Sequence, residues 1–166
     1  MRVGIKIIEI ILEDIRVDLT NQFDENFERK GFFSQKWKPT KRPNPRGSLM
    51  ERTNYLRKSI SSVTDNRAYQ VVFKSSAPYA SVHNEGGTIN MPARKQVLHF
   101  NKKGRFNKND ERASYAQKAN VGAYTIDMPK RQFIGTAPET DKIIDGIVHE
   151  RMPRNVIDFI DKMFKK

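Results

Sequence analysis

A chain of 166 residues with 37% hydrophobic residues and a mean hydropathy of −0.73 favours one domain with a modest core and much surface. The absence of cysteine excludes a disulfide framework and a thiol nucleophile, and no apolar run approaches the roughly 18 residues that cross a bilayer. Met1–Leu12 mixes Arg2, Lys6 and Glu9 among its apolar residues, so a signal peptide is not expected and a soluble protein of a reducing cytosol is. The net charge of +12 is unevenly placed: residues 34–135 carry 20 Lys/Arg against 6 Asp/Glu, while 1–33 carry 5 against 7 and 136–166 carry 6 of each. A basic middle of this kind meets phosphate, an acidic protein surface or solvent alone.

From Ile5 to about Arg29, the residues Ile8, Ile11, Leu12, Ile15, Leu19, Phe23 and Phe27 recur at spacings of three and four. That is one face of an amphipathic helix, and Gly31 is placed to stop it. Between Phe32 and Gly47, Trp37, Pro39, Pro43 and Pro45 alternate with Lys36, Lys38, Lys41, Arg42 and Arg46. The prolines exclude regular helix there, so 33–47 reads as an extended basic arm, pinned by Phe32, Phe33 and Trp37. Ser48–Ile60 is expected to form a short helix with Leu49, Leu56 and Ile60 facing inward. Tyr69, Val71 and Phe73 alternate with Gln70 and Lys74, a strand signal over Ala68–Ser75.

The run Ala77–His83 leads into Asn84-Glu85-Gly86-Gly87, whose paired glycines permit a tight turn. Thr88–Pro92, Val97–Phe100 and Ala123–Met128 read as further extended pieces, with a polar, basic loop from Asn101 to about Asn120. Thr140 is placed to cap a helix over Asp141–Glu150 that buries Ile143, Ile144, Ile147 and Val148. Pro153 breaks it, and Val156, Ile157, Ile160 and Phe164 stripe a last helix. The expected fold is one α+β domain over 1–166: an N-terminal amphipathic helix, a small antiparallel sheet with a long basic loop, and C-terminal helices over 140–166. Met91-Pro92-Ala93-Arg94 and Met128-Pro129-Lys130-Arg131 echo one another, and both boxes are expected to border the sheet as one interface.

Candidate chemistry is sparse. On a strand, His83 and Glu85 would share a face as a base and its orienter, but no Ser/His/Asp set or carboxylate pair accompanies them, so His83 reads as a structural histidine beside the turn. His99 and His149 have no spacing that builds a metal site with it, and no cofactor is implied. Gly86-Gly87 lacks the lysine and helix start of a phosphate loop. Arg94 and Arg131 offer planar forks to a carboxylate or phosphate, within the subunit or between subunits. Nucleic acid is the rival partner, since Phe32, Phe33, Trp37, Phe100, Phe106, Tyr115 and Tyr124 interleave with the charge, yet no DNA- or RNA-binding signature appears. A nuclease or toxin would need a carboxylate cluster or histidine pair that is not evident.

Four short motifs in order give the chain a likeness. An aromatic-plus-tryptophan segment, Phe32-Phe33-Ser34-Gln35-Lys36-Trp37-Lys38-Pro39, follows the first helix. Leu49, Thr53, Leu56, Arg57, Ser59 and Ile60 form a Leu-x-x-Thr-x-x-Leu-Arg-x-Ser-Ile element with one extra residue in its first gap. Pro78, Tyr79, Ala80, His83, Gly86 and Gly87 spell Pro-Tyr-Ala-x-x-His-x-x-Gly-Gly, and Pro129, Arg131, Phe133 and Gly135 spell Pro-x-Arg-x-Phe-x-Gly. This order resembles the phage virion morphogenesis proteins, which include tail-completion proteins of Mu-like and related myophages. Asn54 stands where that family usually has Gly, and Lys130 where Ala is common.

The resemblance implies a small non-enzymatic α+β protein, prophage-encoded, that acts where tail joins head or at the tail's head-proximal end. It implies work as a ring or docked on one, beside other tail or neck proteins, in the host cytoplasm and then in the virion. The motif residues, with Pro92 and Arg94 of the echoed box, are then fold-building or assembly-interface positions. The arm Trp37–Gly47 and the loop Asn101–Asn120 are expected to order on assembly.

Overall fold

The computed structural model describes residues 2–40, 47–105, 114–154 and 156. Two compact units divide the chain: Met1–Gly86 with Pro129–Lys166, and Gly87–Met128 between them.

The first unit is built on α1, Arg2–Arg29. Its apolar stripe is buried at Ile11, Leu12, Ile15, Leu19, Phe23 and Phe27, as the spacing predicts. The helix ends on Lys30, whose φ of 53° takes the left-handed position that Gly31 was expected to fill. Gly31 instead opens a small hairpin, β1 (Gly31–Phe32) against β2 (Gln35–Lys36). Space demands glycine there, because a Cβ on Gly31 would lie 2.6 Å from the Gln35 carbonyl oxygen. The expected arm therefore begins as packed structure. Phe32 and Phe33 are buried against Phe23, with ring centroids 6.2 and 6.4 Å away. The rest of the arm, 41–46 with Pro43 and Pro45, lies outside the described residues.

Of the helix expected over Ser48–Ile60, only α2 (Tyr55–Lys58) forms. Asn54 precedes it at φ 56°, a left-handed conformation that asparagine tolerates better than other non-glycine residues. Leu56 is buried, with Leu49 and Ile60 packed beside it, as expected. β3 (Ile60–Asp65) and β4 (Gln70–Ser75) pair antiparallel from Ile60↔Ser75 to Asp65↔Gln70. Then Ala80–Glu85 is a helix, α3, in the run ahead of the paired glycines to which no element was assigned. α4 covers Pro138–Arg151 and carries Ile143, Ile144, Ile147 and Val148 into the cluster around α1. Thr140 sits inside this helix and not at its cap: its Oγ1 accepts the Ala137 N–H at 2.9 Å, three residues upstream. The last helix, expected from Val156 to Phe164, falls outside the described residues beyond Val156.

Two apolar clusters result. One gathers Ile11, Ile15, Leu19, Phe23, Phe32, Phe33 and Ile147; the other gathers Phe27, Trp37, Leu56, Ala77 and Phe133. Each large side chain so buried contributes about 1.5–3 kcal/mol.

The second unit is one long two-stranded ribbon. β5 (Gly87–Met91) pairs with β8 (Tyr124–Met128), and β6 (Arg94–Phe100) with β7 (Tyr115–Val121), all antiparallel. The register carries through both ladders, with Met91↔Tyr124 followed by Arg94↔Val121. The skipped positions hold Pro92, which lacks the N–H a ladder needs. β7 takes up the last six residues of what was expected to be loop, so the excursion is confined to 101–114, of which 106–113 lie outside the described residues. Tyr115, Ala119 and Val121 alternate weakly with polar residues, which hid this strand.

Two glycine substitutions test the backbone account by urea denaturation. Gly31→Ala should lower stability by about 1–3 kcal/mol, the usual cost of overpacking against atoms that cannot move aside. Gly146→Ala in α4, where nothing lies within 4 Å of the added Cβ, should raise it by about 0.5–1 kcal/mol through helix propensity.

Candidate functional site

In the first unit the family-marking residues converge on the segment that follows the ribbon. Phe133 is fully buried, its ring centroid 5.5 Å from that of Phe27, which meets Trp37 edge-on at 5.5 Å. The Trp37 indole Nε1 donates to the Gln132 carbonyl at 2.6 Å, and Arg131 Nε donates to the Lys38 carbonyl at 2.9 Å. The first and last motifs are thus stitched together from positions 95 and 93 residues apart.

Two asparagines complete the join. Asn84 Oδ1 accepts the N–H groups of Phe133 at 2.9 Å and Ile134 at 3.2 Å. Asn26, with no exposed surface, accepts the Phe33 N–H at 2.9 Å through Oδ1 and donates from Nδ2 to the Phe133 carbonyl at 3.3 Å. Residue motifs did not point to either one. The available signals were an amide beside Phe27 of the apolar stripe, and an amide between the two residues of the supposed base–orienter pair.

His83 and Glu85 do not act together, because α3 is helical and residues two apart on a helix face different ways. The His83 carbonyl accepts the Arg131 N–H at 2.8 Å, and its ring stands edge-on to Tyr79 at 5.7 Å. Its Nδ1 is buried with no hydrogen-bond partner among the described residues. The imidazole is held below its ordinary value by burial first and by the Arg131 charge second. Burial likewise lowers the Arg131 guanidinium, which has no carboxylate partner among the described residues. Glu85 is exposed, and Tyr79 lies near Tyr55, centroids 6.2 Å apart.

Arg57 binds the second motif to α1. Its guanidinium spans Asp24, Glu28 (2.9 Å) and Glu51 (3.1 Å), and Glu51 also meets Lys30. Bonds from Asp24 and then Glu28 raise Arg57, while burial and then the charge of Arg57 lower Lys30. Thr53 is exposed, and Gly135 turns at φ 131° ahead of α4. Gly86 adopts φ 78° with ψ 178°, open essentially to glycine alone, and with Gly87 at φ 146° leads from α3 into β5.

The two Pro-x-Arg boxes leave the β5–β8 ladder at opposite ends. Pro92 follows Met91 at the Tyr124 end of the β5–β8 ladder, and Pro129 follows Met128 at the Gly87 end. Arg131 is buried in the first unit, whereas Arg94 is exposed on the ribbon with its guanidinium carbon 5.9 Å from the Tyr124 ring centroid. Equal sequence environments were placed at opposite ends of a ladder by its antiparallel register.

Among the described residues no group of His, Asp and Glu could hold a metal ion, and no helix is long and apolar enough to cross a membrane. A 540 Å³ hollow between α1, β4 and α4 is apolar; its Asn84 and Thr140 oxygens are already engaged in the bonds above.

The site therefore defines a small α+β protein whose marked side chains bind distant segments together. Residues 17–152 match the family model described as the phage virion morphogenesis family, and the chain belongs to that family. Comparisons with curated proteins and with solved structures each found no match.

Asn26→Ala should cost about 2–4 kcal/mol in urea denaturation, since it strands the Phe33 N–H and the Phe133 carbonyl in a buried setting. His83 has a depressed folded value, so its contribution to stability is complete above the unfolded value of about 6.5 and is lost as pH falls below that. The urea midpoint of the native protein should drop more between pH 7.5 and 5.5 than that of His83→Gln, and equal drops would refute the assignment.

Proposed function

We propose that the protein is a structural subunit of the tail or the head–tail junction of a prophage-encoded or free tailed phage, working by assembly and without catalysis. Membership of the virion morphogenesis family carries this reading. The physical chemistry supports it. The Arg131 side chain is engaged with the Lys38 carbonyl and its backbone N–H with the His83 carbonyl, and among the described residues neither side chain bonds a nucleophile or a carboxylate. The second unit has no buried residue among those described, which is the character of a segment that meets neighbours.

The partners in this reading are other tail or neck proteins and further copies of the chain, joined as a ring or docked on one. Assembly takes place in the bacterial host, and the subunit then stays in the virion. The residues offered to neighbours are Arg94 and the ribbon around Pro92; Trp37, Leu56, Arg57, Phe133 and Arg131 shape the body that presents them.

Induction of a lysogen lacking this gene should yield filled heads and tails that remain unjoined or incomplete in electron micrographs, with infectivity reduced by orders of magnitude and restored by the intact gene in trans. Normal virions from the deletion strain would refute the reading. The DNA-binding alternative is separated by duplex binding at rising salt. A nucleic-acid site loses affinity steeply but retains specific binding at physiological salt, whereas an assembly subunit is expected to show little DNA affinity there.

A further inference from the structure

The ribbon of the second unit is under-stabilised as it stands. A two-stranded ribbon is marginal in water, and independent stability takes a third strand or a packed helix. Here fourteen residue positions from Gly87 to Phe100 run about 45 Å along one strand, and no described residue from 87 to 128 is buried. Val97 is 49% exposed, Tyr115 51% and Tyr124 41%. On the β6–β7 ladder, Lys95, Val97 and their cross-strand partners Asn120 and Lys118 share one face. That face is an apolar centre between two cations with no acidic residue on it. Over Gly87–Met128 the sequence holds eight Lys/Arg against three Asp/Glu.

The opposite pattern lies on α1. Arg2–Arg29 holds seven Asp/Glu against four Lys/Arg. On its outward side Ile10 is 50% exposed and Val17 41%, seven residues apart and so on one stripe. Glu13 and Asp18 flank them, both exposed. Glu13 is bonded to Arg16, and that bond holds its carboxyl below the usual range. Asp18 has no ion pair among the described residues.

We propose that the Lys95–Val97–Lys118 face of the ribbon docks on the Ile10–Val17 stripe of α1 in a second copy of this chain, with Lys95 and Lys118 meeting Glu13 and Asp18. Charge complementarity selects this occupant: two ribbons would set cation against cation, while helix and ribbon oppose acid and base around apolar centres. Because the two patches differ, the contact is heterologous, and its repetition closes a ring or propagates. Burial against a helix also supplies the packing that the ribbon lacks. This inference rests on the assembly reading above and specifies its contact.

The chain has no cysteine, so single cysteines are clean probes. Val17→Cys and Val97→Cys chains, each purified reduced, are mixed and oxidised gently. The expected product is a disulfide-linked heterodimer, enriched at least about tenfold over either homodimer and suppressed by Lys118→Glu in the Val97→Cys chain. Asp18→Lys in the Val17→Cys chain should restore cross-linking to the Lys118→Glu chain, as like charges removed from a contact recover the affinity they cost. Circular dichroism of each variant checks folding. Abundant Val97→Cys homodimer would overturn the proposal in favour of ribbon-to-ribbon pairing, and absence of cross-linking between folded chains would overturn it outright. The lysogen experiment separates the two readings: if deletion blocks joining while Lys118→Glu chains still complete virions, the ribbon contact falls and the assembly function stands.

Discussion

The backbone of Phe133 is held on both sides by side-chain amides, its N–H by Asn84 and its carbonyl by Asn26. These bonds tie the first helix, the short α3 helix and the returning chain at one point, with the Phe133 ring filling the space against Phe27. The adjacent residues repeat the device: Gln132 accepts from the Trp37 indole, and Arg131 bonds to Lys38 and to His83. The chain leaves this unit at Gly86 and re-enters at Pro129, with Gly87 paired to Met128, and the lock fixes the register in which the returning segment packs. Buried polar bonds serve it better than apolar contact alone, since an amide left unpaired is costly and so only one register satisfies them all.

The same lock explains the residue types in the motifs. Among the described residues Arg131 is an arginine without an acid, which burial alone would make expensive. Its planar Nε–H reaches a carbonyl and its aliphatic stem fills space. His83 beside it stays neutral, as the burial and the neighbouring positive charge both demand. On the far side of α1, Arg57 is the contrasting case, with Asp24, Glu28 and Glu51 around one guanidinium. One arginine is placed for shape and the other for charge, though the sequence shows only two arginines in two motifs.

The legible parts of the fold were those with strong periodicity. The α1 stripe, the α4 face, the β4 alternation, the β5 and β8 segments and the inward Leu49, Leu56 and Ile60 follow from residue spacing, and the family motifs supplied the family. What escaped depended on long-range partners. β7 has little hydrophobic alternation and exists through its pairing with β6. α3 is six residues long, too short for a period to declare itself. Asn26 and Asn84 act on backbone groups more than a hundred and about fifty residues away, which spacing along the chain cannot show. The Pro-x-Arg echo, Met-Pro-Ala-Arg against Met-Pro-Lys-Arg, does not reveal that the two boxes stand at opposite ends of one ladder.

Burial divides along the boundary between the two units. The apolar clusters and the bonded family residues lie in the first unit, whereas the second has cations, exposed aromatics and two free strand edges. Native proteins blunt such edges with lysine and proline or cover them, and here both devices are present: Lys95 and Lys118 on the ladder, Pro92 interrupting it. A lysine that discourages random strand pairing also discriminates among partners, since it admits an acidic surface and rejects a basic one. An exposed ribbon can thus remain soluble before assembly and still be selective during it. Of the surplus of 14 cationic residues over 34–135, the ribbon over Gly87–Met128 carries 5, and these are less a signature of nucleic acid than a condition for carrying an uncovered ribbon to the right neighbour.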